Sequence, residues 1–409
     1  MPIDLDAAQD VFATSTDATV GLEEEFAILD PVSLELVGRF EEMHRAAAAD
    51  PVLAQAVSGE LISAEIEIRS GRGENLAEAL AAQRDARSRL FALAGARGLE
   101  LGATGTHPFS DYRRQQIIET EHYRRLRQEL AWVARRNNTF SLHVHVGVRD
   151  ANRAVRVCDR LRPVLPELLA VSANSPGLDG CDTGLHSART QSFTKTFPRC
   201  GVPDAYGGWE AYADYLRFLM ATGSVVEYTQ VWWSVRPHLG FGTVEVRICD
   251  AQATAAESDA LATLIVACVL QAARDEDEGR PAPDVPGRLI EENMWRAIRH
   301  GLDGRLIDLA RVQEYPAVDA LHRLALWTAP VRFEHGLGEG WPQSLNGAQR
   351  QRRALDAGVG LREVYAATVR ETHESYRAAG PAPRTGAEGP APVPPDPTGG
   401  DSPSGAGAR

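Results

Sequence analysis

The chain has 409 residues, of which 44% are hydrophobic and 24% charged, and its formal net charge is -13. This length and composition are typical of a globular protein with one large domain or two, and they exclude a chain that is disordered throughout. The negative charge opposes general attraction to nucleic acid phosphates or anionic lipid, because such contacts need clustered lysine and arginine. We therefore expect neither nucleic acid nor a membrane among the partners.

The two ends of the chain differ in character. Residues 1–6 read MPIDLD, which is acidic and lacks the apolar core of a secretory signal, so we expect a cytoplasmic protein. The most apolar run, 260–270, is shorter than the roughly 20 residues that span a bilayer and predicts a buried helix. Residues 381–409 contain 8 prolines and 6 glycines, which predicts a disordered tail after a single domain at 1–380.

Short alternating runs and longer helical runs follow one another along the chain. In chain order the patterns predict strands and helices as follows: strand 19–29, strand 60–70, helix 74–95, strand 99–106, strand 140–148, helix 153–172, helix 209–222, strand 243–250, and helices 254–276, 291–300, 317–328 and 347–378. The strands are far apart in sequence and follow no strict strand-helix-strand rhythm. The fold class predicted is therefore α+β with a mainly antiparallel sheet.

Three of the predicted strands carry a pair of polar residues in front of an aliphatic face. Because successive side chains of a strand point to opposite faces, each pair shares one face. The pairs are Glu23 with Glu25, His143 with His145, and Glu245 with Arg247. If these strands are neighbours, their carboxylates and imidazoles form a surface that is unstable without cations, and Mg2+ or Mn2+ suits such donors.

Each pattern also has a plainer explanation when it is taken alone. A glutamate run is usually a solvated strand face, an HxH pair is often structural, and Glu-x-Arg is commonly an ion pair. Their occurrence together on three strands favours the metal site. The chain contains neither the GxxxxGK[ST] phosphate loop nor the GxSxG nucleophile turn, so the usual nucleotide and serine-hydrolase signatures are absent from the sequence.

A series of motifs resembles the carboxylate-amine ligases of the glutamate-cysteine ligase type 2 family. It covers about 18–376 and is specific as an ordered set. The motifs are VGLEEEF at 20–26, Glu60 with Glu67, GTHPF at 105–109, HVHVG at 143–147, LLAVSANSP at 168–176, DTG at 182–184, WWSVRP at 232–237 and TVEVR at 243–247.

The resemblance implies a glutamine-synthetase-like funnel, formed by a curved and mainly antiparallel sheet that helices flank. It also implies an ATP-dependent enzyme that phosphorylates the γ-carboxylate of glutamate and lets an amine displace the phosphate. By similarity, Arg247 contacts the transferring phosphoryl group and Glu67 is catalytic as well as a metal ligand. The metal positions carried over by similarity, for two or three ions, are Glu23, Glu25, Glu60, Glu67, His143 and Glu245.

One carried-over position conflicts with the strand pattern. In a straight strand over 60–70, Glu60 and Glu67 would point to opposite faces, and the alternation alone selects Glu65 as the neighbour of Glu67. The resemblance therefore requires Glu60 to lie in a loop or bulge before the strand.

Elementary chemistry agrees with the ligase reading, since a carboxylate must be activated before an amine attacks it. Phosphoryl transfer needs positioning and charge neutralisation more than a protein nucleophile. We expect Arg189 and Arg236 to contact substrates, because arginine pairs bidentately with carboxylates. We also expect His145 to contact a substrate. The expected partners are ATP, an amino acid carboxylate and an amine, and a homodimer is compatible with the sequence.

Two other functions are compatible with the same residues. An HxH pair near carboxylates also suits a metal-dependent amide hydrolase, although such enzymes place it on the first strand of a parallel barrel. A catalytically inactive binding protein on the ligase scaffold is the third reading. The sequence departs from the family pattern at 68–71 and 185–189, so the acceptor amine and the donor acid stay open.

Overall fold

The computed structural model describes residues 4–225, 227–338 and 345–378. Its strands are β1 Val20–Leu29, β2 Val57–Ser58, β3 Glu65–Arg69, β4 Glu100–Gly102, β5 Leu142–Gly147, β6 Gly177–Leu178, β7 Cys181–Asp182, β8 Cys200–Gly201, β9 Trp232–Trp233, β10 Val235–His238, β11 Thr243–Val246, β12 Arg305–Asp308 and β13 Gln313–Pro316.

Helices make up most of the rest of the described chain. They are α1 Leu5–Thr14, α2 Phe40–Ala47, α3 Leu53–Ala56, α4 Leu76–Ala96, α5 Glu121–Leu130, α6 Ala151–Leu161, α7 Leu165–Ser172, α8 Ala188–Thr196, α9 Trp209–Ala221, α10 Ala255–Asp277, α11 Gly287–His300, α12 Asp319–Glu334, α13 Gly347–Asp356 and α14 Leu361–Ala378.

A seven-stranded sheet organises the fold, in the order β10-β11-β5-β1-β3-β2 with β4 also paired to β1. Every pairing in this sheet is antiparallel. The long strand β1 therefore lies between β5 and β3, and β11 follows on the other side of β5. This confirms the predicted α+β class and places the three polar-faced strands next to one another.

The two faces of this sheet differ sharply. Leu22, Phe26, Ile68, Val144 and Val244 are all fully or nearly fully buried, and they point toward the helices. Helices α4, α6 and α10 pack on that side. Because strand side chains alternate, burial of this apolar set forces the intervening polar residues onto the opposite face.

Glu24 lies on the helix side of β1, between the two glutamates that face the other way. It accepts hydrogen bonds from Arg87, at 2.8 Å for Nη2, and from Gln83 at 2.8 Å. The Arg87 side chain is fully buried, and its Nη1 also donates to Asp259 Oδ1 at 2.6 Å. The pair therefore ties β1 to α4 and α10.

Several predicted elements differ from the observed ones for local reasons. The strand predicted at 60–70 begins only at Glu65, and the helix predicted at 153–172 is divided after Leu161. Pro163 falls at that division, and a proline cannot donate the backbone hydrogen bond of a continuous helix. The helix predicted at 347–378 is likewise divided, because α13 ends at Asp356 and Gly358 follows with φ +85°.

The apolar run at 260–270 lies within α10, as predicted for a buried helix. This helix passes the length and composition test for a membrane span, but 83% of its most apolar window is buried inside the protein. It contacts α12, α6 and β5 and so belongs to the core. The predicted tail at 381–409 lies outside the described residues.

Replacing Arg87 should unfold the protein more easily than replacing a surface arginine of the same helix. Arg87→Met leaves Glu24 buried without its cation, which costs about 3–5 kcal/mol in the free energy of unfolding. Arg89→Met removes only half-exposed pairs with Asp50 and Asp85 and should cost about 1 kcal/mol or less. Urea denaturation measures both, and equal losses would contradict the buried pair's role.

Candidate active site

Glu23, His143 and Glu245 lie on three neighbouring strands and converge on one point. Glu23 is directly opposite His143 across β1 and β5, and His143 Nδ1 is 3.1 Å from Glu23 Oε2. The three residues each offer a donor atom, and these atoms lie within 4.8 Å of one another. One divalent cation could bind to all three.

A second group of donor atoms also includes His143 and lies between β1 and β3, on the same face of the sheet. Glu25 is directly opposite Glu67 across β1 and β3, and donor atoms of Glu25, Glu67 and His143 lie within 4.8 Å of one another. Ser141 connects the group: its amide and hydroxyl donate to Glu25 Oε2 at 2.5 and 2.6 Å, and its Oγ is 2.8 Å from His143 Nε2. The two groups are therefore adjacent.

Glu60 and Glu65 extend the same carboxylate surface. Glu60 lies in the loop between β2 and β3, so its position is the one that the resemblance requires, and its role as a ligand stays a prediction. Glu65 is 1% exposed, and its Oε2 has no hydrogen-bond partner in the described part of the chain. We call the surface formed by Glu23, Glu25, Glu60, Glu65, Glu67 and Glu245 the acidic face.

Four carboxyls of the acidic face hold protons more tightly than usual. Burial, and then repulsion from Glu67, raises the pKa of Glu25 to about 7. Burial and repulsion from Glu25 raise the pKa of Glu60 to about 7 as well. The pKa values of Glu65 and Glu67 are raised well above normal, chiefly by burial. Without a cation, these carboxyls cannot all be ionised together.

Glu23 and Glu245 behave differently because imidazole or guanidinium groups lie beside them. Burial raises the pKa of Glu245, but Arg236 and Arg247 outweigh it and bring that pKa well below normal. Burial is likewise outweighed at Glu23, whose pKa is lowered well below normal by His145 and His143. Burial, and then Arg247, lowers the pKa of His143 to about 3, so its imidazole is neutral and able to bind a metal.

Arg236 and Arg247 both contact Glu245 on β11. Arg247 Nη1 donates to Glu245 Oε1 and lies 3.4 Å from His143 Nδ1, which places its charge at the acidic face. Arg236 Nε donates to Glu245 Oε2 at 2.6 Å, and its Nη1 donates to the Val231 carbonyl at 2.6 Å. Arg236 thus orients Glu245 here, and its contact with a substrate stays a prediction.

Arg189 and His145 complete the set that the sequence selected. Arg189 is buried, and it donates to the backbone carbonyls of Ile248 and Arg247 at 3.0 and 3.2 Å. His145 Nδ1 is 3.0 Å from Thr243 Oγ1, and its Nε2 is 3.4 Å from Glu23 Oε1. His145 therefore borders the acidic face, whereas Arg189 supports the backbone that carries Arg247. Their contacts with substrates stay predictions.

The donors of the acidic face fit divalent cations. Carboxylate oxygens are the ligands that Mg2+ and Mn2+ prefer, and one neutral imidazole among them is acceptable to Mn2+. The raised pKa values of Glu25 and Glu67 and the unpaired Oε2 of Glu65 indicate negative charge that the protein alone does not compensate. Cation binding would relieve this repulsion.

Sequence reasoning missed three residues that support the site. Arg69 donates to Glu67 Oε1 at 2.6 Å, and Ser141 bridges Glu25 and His143. Arg69 shares a face of β3 with Glu67, and Ser141 lies immediately before β5, two residues from His143, so period-two spacing could have found both. Asp250 is fully buried and accepts from the Ser175 hydroxyl at 2.6 Å. No pattern in the sequence indicated this loop contact.

Comparison with known proteins gives relatives along most of the chain. The profile of glutamate-cysteine ligase family 2 matches residues 19–369. A Rubrobacter xylanophilus protein, provisionally named glutamate-cysteine ligase 2-2, is 40% identical over 321 residues, which are 78% of this chain and 82% of the relative. A Solibacter usitatus protein, provisionally named glutamate-cysteine ligase 2, is 36% identical over 360 residues, 87% of this chain and 93% of the relative.

Two solved structures share the fold at low sequence identity. The Francisella tularensis glutamate-cysteine ligase, solved in complex with AMP, superposes with a TM-score of 0.62 at 11% identity and covers 89% of this chain and 90% of its own. The bifunctional glutathione synthetase of Pasteurella multocida gives a TM-score of 0.62 at 12% identity and covers 91% of this chain. This chain spans about half, 54%, of that longer enzyme.

The fold is glutamine-synthetase-like, as expected from the sequence. The family match covers most of the chain, and it includes every strand of the sheet that carries the acidic face. The chain therefore belongs to glutamate-cysteine ligase family 2, a family of carboxylate-amine ligases.

Proposed function

We propose that this protein is an ATP- and Mg2+-dependent carboxylate-amine ligase that forms an amide and releases ADP and phosphate. The observation that carries the proposal is the acidic face, where carboxylates from β1, β3 and β11 meet a neutral His143 and the guanidinium of Arg247. A surface of this kind suits the polyphosphate of ATP once divalent cations are bound.

Activation of the acid is the difficult part of the reaction. A carboxylate does not react with an amine at neutral pH, and its conversion to an acyl phosphate supplies a leaving group. Bound divalent ions would neutralise the phosphate oxygens and hold them for in-line transfer. The protein's task is to fix these charges in place rather than to supply a nucleophile.

Carboxylates and the guanidinium of Arg247 would have different roles in fixing these charges. We propose that one ion binds at Glu23, His143 and Glu245, and another at Glu25 and Glu67, with Glu60 beside them; two or three ions in total are expected. Arg247 is the nearest guanidinium to both His143 and Glu245, so it would stabilise the charge that develops on the transferred phosphoryl group. Ser141, Arg69 and Arg236 hold the ligands in position.

The relatives' names and the chemistry of amide formation support the substrates that we propose. The relatives' names support glutamate as the acid and cysteine, or another amine, as the acceptor. Arg189, Arg236 and His145 remain the residues we propose for substrate contacts.

We further propose that residues 1–380 act as one ligase domain and that the enzyme works in the cytoplasm on small molecules.

The two competing functions receive less support. An amidohydrolase-type site places its HxH pair in a parallel barrel, whereas His143 and His145 lie on β5 between two antiparallel neighbours. An inactive relative would be expected to lack part of the acidic face. Here all six positions carried over from the family are glutamate or histidine and lie on or beside the sheet.

ADP release tests the proposal directly. Purified protein with ATP, Mg2+ and glutamate should release ADP when a suitable amine from a panel of amino acids and simple amines is added. EDTA should abolish the reaction. Hydrolysis of a test amide without nucleotide, and no ADP release with any acid and amine, would instead favour the hydrolase.

Glu67→Gln should separate activity from folding. Burial raises the pKa of Glu67 in the metal-free protein and so disfavours its ionised form, and the isosteric amide should therefore cost little in the free energy of unfolding. Loss of a metal-binding charge should lower turnover roughly 100-fold or more. The exposed Glu210→Gln serves as the control and should retain activity. Near-normal turnover of Glu67→Gln would contradict the metal assignment.

The stability of the protein should depend on pH differently with and without Mg2+. Because Glu25 and Glu60 have pKa values of about 7 when folded, against 4.5 normally, the folded state binds more protons than the unfolded chain between these values. The contribution of these two carboxyls to metal-free stability should therefore fall as pH rises from about 5 to 7. His143, with a folded pKa of about 3, contributes in the opposite sense with or without Mg2+, so the comparison between the two conditions is what isolates the carboxyls. Cations bind the ionised carboxylates, so the stabilisation by Mg2+ should grow over the same range.

Thermal unfolding in EDTA and in excess Mg2+ measures this difference. The gap between the two Tm values should widen steadily from about pH 5 to about pH 8. A gap that is constant with pH would show that the carboxyls of the acidic face do not exchange protons for metal.

A further inference from the structure

The turn between β10 and β11 holds a phenylalanine at the border of the acidic face. The amides of Phe241 and Gly242 both donate to the His238 carbonyl, at 3.3 and 3.0 Å. Ser15 Oγ, at the end of α1, donates to the Gly242 carbonyl at 2.7 Å. Gly242 has φ +64°, a conformation that glycine adopts without strain. The backbone on both sides of Phe241 is thus fixed.

Three aromatic rings meet at this turn. The rings of His238 and Phe241 are stacked, with centroids 4.2 Å apart and planes at 15°. His145 lies edge-on to both, at 5.1 Å from the His238 ring and 5.6 Å from the Phe241 ring. Phe241 is nevertheless 40% exposed, so part of its ring is open to solvent. A large apolar ring that is rigidly backed but left uncovered suits a flat ligand.

One ring nitrogen at this place lacks a partner. Nδ1 of His238 is buried and has no hydrogen-bond partner within the described residues, whereas Nε2 of His145 faces Glu23 Oε1 at 3.4 Å. Both histidines are more than nine-tenths buried, with exposures of 8% and 4%. Buried polar atoms are normally hydrogen-bonded, so an unpaired nitrogen of His238 beside an exposed ring indicates a ligand with a polar edge.

The aromatic group is also close to the proposed phosphate site. His145 Nε2 lies 3.4 Å from Glu23 Oε1 and 3.8 Å from Glu245 Oε1, and its ring contacts Phe241 on the other side. One imidazole therefore separates the Phe241 ring from a carboxylate group that we assign to cation and phosphate binding. The sugar and base of a nucleotide extend beyond its phosphates, which fits this spacing.

We propose that the exposed ring of Phe241, backed by His238, is the surface on which the nucleobase of the nucleotide stacks. This inference rests on the proposed function, since it assumes that a nucleotide binds at the acidic face. Stacking on an aromatic face is a general way to hold a base, because every base has a flat π surface. A charged amino acid substrate would instead need a counter-charge, which a phenyl ring does not offer.

Calorimetric titration with Mg-ADP and with Mg-tripolyphosphate tests the inference without measuring turnover. Tripolyphosphate carries the phosphates but no base. Phe241→Ala should weaken ADP binding by between about 5-fold and 140-fold, the range that corresponds to loss of one base-stacking ring, and leave tripolyphosphate binding unchanged. Phe241→Trp should restore ADP binding. Phe218→Ala removes an exposed ring on α9 and serves as the control.

The outcomes separate this inference from the proposed function. Unchanged ADP binding in Phe241→Ala, or an equal loss of ADP and tripolyphosphate binding, would overturn the stacking surface and leave the ligase proposal standing. A raised KM for the amine with unchanged ADP binding would assign the ring to the acceptor and overturn the inference too. If the unmodified protein binds neither compound in the presence of Mg2+, both proposals fail.

Discussion

The constraint on which this structure depends is the burial of several carboxylates on one face of an antiparallel sheet. Glu25, Glu65 and Glu67 are each at most 7% exposed, and their pKa values are raised by burial and by one another. Protons relieve the repulsion in the metal-free protein, and cations would relieve it at neutral pH. The sheet must therefore be held firmly enough to keep like charges together.

The opposite face of the sheet supplies that rigidity. Aliphatic residues of β1, β5 and β11 pack on α4, α6 and α10, and the buried pair of Glu24 and Arg87 fixes β1 at the level of the site. Glu23, Glu24 and Glu25 thus have three different environments although they are consecutive. The first is paired with imidazoles, the second with a buried arginine, and the third with a serine and a further carboxyl.

Period-two alternation accounts for the part of this arrangement that could be predicted from sequence. It placed Glu23 with Glu25, and His143 with His145, on one face, and the antiparallel register confirms that these faces adjoin. It gave Glu65 beside Glu67 but put Glu60 on the opposite face, because it extended the strand back to residue 60. The strand begins only at Glu65, so alternation does not apply to Glu60, and only the resemblance pointed to Glu60 as a ligand. The bonds of Arg189 and Arg236 to backbone carbonyls depend on tertiary contacts that no local pattern encodes.

The central claim is that the acidic face binds divalent ions that hold a nucleotide's phosphates. The most direct measurement is a crystal structure with Mn2+ and a non-hydrolysable ATP analogue, with the ions located by anomalous scattering. The account predicts one peak among Glu23, His143 and Glu245 and another between Glu25 and Glu67, with phosphate oxygens bound to both. Phosphates bound elsewhere, or an acidic face without ions at saturating Mn2+, would contradict it.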